Sequence, residues 1–128
     1  MRPLTRAVWY LRASASLAMI ERLLRRVSVC SACRVLGLTT PTGPDASRTP
    51  TEAELGPSLA AVEWLERRRG GRLPCLPRAL LLGTLLQRCR PRLRFGFQLR
   101  PSAEGHAWLQ AGQLDLGRGD AVALRAKR

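Results

Sequence analysis

The chain is short of histidine, acid and aromatic residues: among 128 residues it has one histidine, nine acidic side chains and an aromatic share of 5%. Any imidazole chemistry therefore falls to His106 alone. It also lacks a run of about 18 or more uncharged apolar residues, so no membrane-spanning helix is expected, although peripheral contact with a membrane stays open. Cys30-Ser31-Ala32-Cys33 has the spacing of half a zinc site, but no second ligand pair accompanies it, so neither a metal nor any other cofactor is expected. No cleavable secretory signal precedes the four cysteines, and reduced thiols in the cytoplasm are the expectation. No internal repeat is evident.

What is abundant is positive charge. Against those nine acids stand 22 lysines and arginines, nearly all arginine, for a formal net charge of +13. Either the surface attracts anionic partners, or arginine has been favoured throughout on solvated faces. The even spread along the chain leans toward the second. A hydrophobic share of 45% is ordinary, and the length suits one domain, residues 1–128, with a core that needs no disulfide.

From Leu4 to Val29, Val8, Leu11, Ala15, Ala18, Met19 and Leu23 recur at helical spacing, predicting one amphipathic helix or two. The same stretch, rich in Arg and Ser, imitates an organellar transit peptide. Residues 37–57 contain Pro41, Gly43, Pro44, Pro50 and Pro57 and read as a loop, with Ser58 capping the next helix. That helix carries Leu59, Val62, Trp64 and Leu65 and ends in Arg67-Arg68-Arg69 before Gly70-Gly71, where basic residues complement the helix dipole. These 70 residues form a helical support half.

Residues 71–128 change character. Pro77 fixes a helix start close to Cys75, and Ala79-Leu80-Leu81-Leu82 is apolar nearly all round, as in a central buried helix ending near Cys89 and Pro91. Leu93–Leu99 alternates like a strand, residues 101–105 turn, His106–Gln110 is again extended, and Leu114 to Leu124 holds a further strand or two. Helices followed by an antiparallel sheet give an α+β fold.

A thiol at a helix N-terminus meets unpaired backbone N–H groups and the positive end of the dipole, which favour the nucleophilic thiolate. Cys75 has that position, and Cys89, at the far end, does not; it is expected in the core. His106 on a neighbouring strand could serve as ion-pair partner and general acid. An acid should orient the imidazole. A three-residue turn, Ala111-Gly112-Gln113, would set Gln110 opposite Leu114 and His106 opposite Arg118, with Asp120 diagonally across; a two-residue turn or a bulge flips the register and gives Asp115 the right face but several residues away, so Asp120 is the preferred acid. Distant residues meeting in this way have the layout of a papain-like or transglutaminase-like site.

Leu73-Pro74-Cys75-Leu76-Pro77-Arg78-Ala79-Leu80, then an aromatic strand, then Gly105-His106-Ala107-Trp108-Leu109 resemble the transglutaminase-like lasso-peptide maturation proteases, the microcin-processing protein family. The resemblance covers the C-terminal half. It implies a cysteine protease that removes the leader from a ribosomally made lasso precursor, so that a separate lasso cyclase can close the ring. Cys75 and His106 match the family's nucleophile and histidine. Where the family places an acid soon after a Leu-Gly pair, this chain has Leu116-Gly117-Arg118-Gly119-Asp120, and Gln110 stands where relatives commonly have Glu. Some relatives carry a fused leader-recognition domain; the length before the helical half leaves no room for one, so a separate recognition protein is the implied partner. Cys75 N–H is the expected first oxyanion donor, with Gln98 or Gln110 as candidates for the second.

The rival reading is a non-enzymatic basic module for RNA or an acidic protein surface, for which Phe95 and Phe97 among Arg92, Arg94 and Arg100 are the only interleaved aromatics. The enzyme reading needs no nucleic acid.

Overall fold

The computed structural model describes residues 3–38, 47–98, 104–116 and 123–124. The chain opens with α1 (Pro3–Arg26), one unbroken helix. Its buried side is Ala13, Ser16, Leu17 and Ile20, whereas Val8, Leu11, Ala15, Ala18 and Met19 are exposed. Most of the expected apolar face was thus the outer one, although Leu23 packs against the core. Both sides of this helix carry apolar residues, and spacing alone does not say which of two such stripes a core will take.

Ser28 caps α2 (Val29–Leu36), its hydroxyl accepting the Ser31 N–H at 3.2 Å, and Gly37 closes the helix at φ 76°, a left-handed position that suits glycine. Cys33 faces the core and Cys30 is exposed.

The expected loop ends sooner than proline content implied. α3 runs Glu52–Arg69, and its cap is Thr51, not Ser58. Thr51 and Glu54 form a capping box, a Thr-x-x-Glu signal that outweighs Pro57 two turns later. Arg48 adds a bidentate pair to Glu54 at 2.9 and 2.8 Å. Ser58 lies buried inside the helix, donating to the Glu54 carbonyl at 2.8 Å. α3 lies against α1, with Tyr10 and Trp64 stacked at 4.4 Å and Arg69 gripping Glu21 through two bonds of 2.8 and 2.9 Å.

α4 (Cys75–Leu85) occupies the centre, packed on α1, α3 and the sheet. Leu80, Leu81 and Leu82 are fully buried, each worth about 2 kcal/mol of transfer free energy. A short 3-10 turn, Gln87–Cys89, ends it, and Cys89 is buried as expected.

The sheet is antiparallel, in the order β1 (Arg92–Gln98), β2 (Glu104–Ala111), β3 (Leu114–Leu116), β4 (Ala123–Leu124). Leu93 pairs with Leu109 and Leu109 with Leu116, a fully buried row on one face. A Cβ on Gly83 would lie 2.8 Å from two Leu38 carbons and 3.2 Å from Leu109 Cδ1, so glycine lets α4 approach this face closely. The result is the expected α+β architecture.

The β2–β3 connection corrects the expected hairpin. Ala111 pairs with Leu114 and Gln110 with Asp115, leaving a two-residue turn, Gly112-Gln113, with Gly112 at φ 59°. Positive φ at the first loop position is what primed hairpin turns require. Ser47 and Thr49 hydroxyls accept the Gly112 and Gln113 N–H groups at 3.0 and 2.8 Å, tying the segment before α3 to this turn.

Candidate active site

The approach to Cys75 is built by the end of α3. Gly70 terminates that helix in the left-handed region, at φ 82°, and the chain turns back through residues 71–74 into α4. Glu66, buried in the last turns of α3, accepts the Leu73 N–H at 2.9 Å and the Arg78 Nε–H at 3.2 Å through the same oxygen. Leu73 and Arg78 bracket Cys75. Sequence reasoning missed this pair because Glu66 sits in a charged run, Glu66-Arg67-Arg68-Arg69, that resembles a solvated helix end. The available signal was Arg78, a charge inside an otherwise apolar helix that needs an acid from elsewhere.

Cys75 is the first residue of α4, as the proline pattern predicted, with Pro74 at the cap and the first helical bond running from Arg78 N to Pro74 O at 3.0 Å. Pro77 has no N–H, so the donors at this helix start that lack an intrahelical acceptor belong to Cys75 and Leu76. The thiol is half-buried and packs against the core cluster.

His106 lies in β2, opposite Gly96 of β1, half-buried and stacked at 6.0 Å on Trp108, the next residue on its face. α4 and β2 pack together. The α4 contact, however, is made by the Leu109 face of β2, and alternation puts His106, Trp108 and Gln110 on the other face. Among the described residues no hydrogen bond joins Cys75 to His106.

The two-residue turn changes the argument about the acid. Cross-strand partners share a face, so Asp115, opposite Gln110, lies buried on the His106 face. Gln110 is four residues beyond His106, which offsets Asp115 from it by about 13 Å along the strand. The three-residue turn that favoured Asp120 does not form, and Asp120 itself lies outside the described residues. Gln98 stands at the end of β1, and the Gln110 side-chain oxygen is buried without a hydrogen-bond partner among the described residues. Arg92, across β2 on the same face, likewise has a buried and unpartnered Nε.

No group of three or more potential metal ligands occurs among the described residues. Burial pushes the Cys33 thiol up to about 11, aided by neighbouring Cys30, and burial likewise raises the Cys89 thiol. A buried neutral thiol is inert, which sets Cys33 and Cys89 aside; of the other two, Cys30 is exposed in the first turn of α2 and Cys75 is half-buried at the head of the central helix.

A cysteine at that place, with an antiparallel sheet behind the helix carrying the sole histidine, defines an α+β fold of the transglutaminase-like class. The chain belongs to the transglutaminase-like superfamily, whose family model matches residues 7–125. That superfamily includes cysteine proteases. Comparison with curated proteins gave no match, and comparison with solved structures gave none. Among the described residues no helix is long and apolar enough to cross a membrane.

Proposed function

We propose that the protein is a cysteine peptidase that removes the leader from a ribosomally made lasso precursor peptide in the bacterial cytoplasm. The observation that supports it most is Cys75 at the first position of the buried central helix, in a chain that belongs to the transglutaminase-like superfamily. The lasso assignment rests on the Cys-Leu-Pro-Arg and His-Ala-Trp pair of motifs.

In this reading the Cys75 thiolate attacks the carbonyl carbon at the leader–core junction and the carbonyl π electrons move onto oxygen. The N–H groups of Cys75 and Leu76, which have no intrahelical acceptor, are the proposed donors to that oxygen. Collapse expels the core amine, which takes its proton from His106. Water, giving a proton back to His106, then attacks the thioester, releases the leader as a carboxylic acid and restores the Cys75 thiolate beside protonated His106. The mechanism requires the His106 imidazole to reach Cys75 from the face of β2 turned away from Leu109, and His106→Ala tests that requirement. Asp120 is the proposed orienting acid on the Leu116-Gly117 motif of the resemblance alone, Asp115 being offset from His106 by about 13 Å along the strand. A separate leader-recognition protein delivers the precursor, and a lasso cyclase takes the product.

The test incubates the chain with the precursor and recognition protein encoded beside it and reads products by mass. Cleavage at one junction, abolished in Cys75→Ala and His106→Ala, is expected; unchanged cleavage by the Cys75 variant removes the mechanism. One observation favours the rival reading, a basic binding module for RNA: Phe95 is exposed beside Arg94 on β1. RNA binding that falls steeply with salt and survives Cys75→Ala would select it.

A further inference from the structure

Four of the large apolar side chains most open to solvent lie on one side of α1: Leu4 is 78% exposed, Val8 57%, Leu11 71% and Met19 44%. Leu4, Val8, Leu11, Ala15 and Ala18 follow one another at alternating intervals of four and three, all of them exposed. That is the 3.5-residue seam by which one helix receives another. Continuing the same spacing brings Arg22 and Arg25, with Arg26 beside them, so an apolar strip ends in a cationic turn.

We propose that the outward face of α1 is the docking surface for a partner protein that presents an apolar helix with acidic residues clustered at one end. Singly exposed apolar residues need no explanation, but a contiguous strip of them does. Its 3.5-residue spacing suits a single facing helix, and Ala15 and Ala18 are small enough to let that backbone come close.

Charge selects among the occupants. A second copy of this chain fits poorly. Laid antiparallel, its arginines would meet the Leu4 end, where the first turn of α1 holds no acid; laid parallel, arginines would face arginines. The nearby acid Glu21 is already held by Arg69 at 2.8 Å. A helix that lies in a membrane surface carries its cations along both flanks of the apolar face. Here they gather at one end, and flanking Arg12 is occupied with the Thr84 carbonyl at 3.5 Å and the Trp9 ring at 5.3 Å. An acidic helix satisfies both parts of the surface. The inference is independent of the peptidase reading.

The test uses the whole chain and a fluorescein-labelled synthetic helix of about three heptads, with leucine at the seam and glutamates at one end. A lysine-ended peptide, phosphatidylglycerol vesicles and sedimentation of the chain alone are run beside it. Binding of the glutamate peptide is expected, weakened about tenfold or more by Leu4→Asp with Leu11→Asp, which removes seam anchors. Arg22→Glu with Arg25→Glu should lower it and transfer preference to the lysine peptide. Circular dichroism melts show that the variants fold, as exposed sites allow. No binding of the glutamate peptide, or binding indifferent to the Leu4 and Leu11 changes, overturns the proposal. So does vesicle binding without peptide binding, or self-association, when lost in those same variants.

Discussion

Glu66 reaches from α3 to Arg78 of α4 at 3.2 Å and, with the same oxygen, to the Leu73 N–H at 2.9 Å, so one buried carboxylate spans the residue that carries the thiol. Removing one member of a buried ion pair strands the other, at a cost of about 3 kcal/mol or more. Glu66→Ala should therefore lower stability strongly in urea melts. Glu66→Gln keeps the acceptor for Leu73 and should cost less. If Glu66 sets the start of α4, alkylation of Cys75 by iodoacetamide, followed by peptide mass mapping under conditions where all variants are folded, will be altered in Glu66→Ala more than in Glu66→Gln. Equal Cys75 reactivity in all three forms would limit Glu66 to a stabilising role.

Gly83 makes a second, opposite kind of demand. Alanine would ordinarily gain about 1 kcal/mol in a helix interior. At this position its Cβ would press on Leu38 and Leu109, both buried, and overpacking costs about 1–3 kcal/mol. Since the crowded atoms are in the core and have little room to retreat, Gly83→Ala is expected to lower the melting temperature. A rise would mean that the helix and sheet separate more easily than this packing implies.

The cap of α3 is open to test by pH. Thr51→Ala should cost about 1 kcal/mol, the usual worth of an N-cap hydroxyl. Its partner Glu54 is held down to about 2, first by the Arg48 guanidinium and then by the Thr51 backbone N–H. A carboxylate lowered on folding stabilises the native state above the ordinary carboxylate range, and that contribution is lost as pH falls toward about 2. The stability gap between the wild type and Arg48→Ala should accordingly shrink through the acid range. Exposure and salt screening keep the gap small, so it is best read at low ionic strength.

Much of this fold was legible because local chemistry and burial agree. Pro77 and the Leu80-Leu81-Leu82 run gave the central helix and its first residue correctly, since a proline early in an all-apolar stretch has few other places to stand. The α1 face was misread because two apolar stripes compete on one helix, and only the neighbours Tyr10–Trp64 and Glu21–Arg69 decide which is buried. The cap of α3 was misplaced because prolines were weighed above the Thr51–Glu54 signal. The turn was set one residue too long, and with period-two alternation that single residue moves an entire strand to its other face: Asp115 came to share a face with His106. Proximity of Cys75 and His106 was argued from element order, yet element order fixes that α4 meets β2 without fixing which face of β2 it meets.

The pair of cysteines in α2 gives the last expectation, in the alkaline range. Burial pushes the Cys33 thiol up to about 11, with the neighbouring Cys30 adding to the effect. A group whose folded pKa is raised contributes its stability fully below the ordinary thiol range and loses it as pH climbs toward about 11, because the unfolded chain ionises first. Cys33→Ala leaves a smaller side chain in the core and should be less stable than the wild type at neutral pH by about 1 kcal/mol. Between about pH 9 and pH 11 that deficit should narrow, since the variant has no Cys33 thiolate to favour unfolding. Cys89, also raised by burial, titrates in both proteins and cancels from the difference. Parallel urea melts across this range measure the gap directly. A deficit that stays constant to pH 11 would mean that the folded protein accommodates the Cys33 thiolate, contrary to the closed apolar setting in which the structure places it.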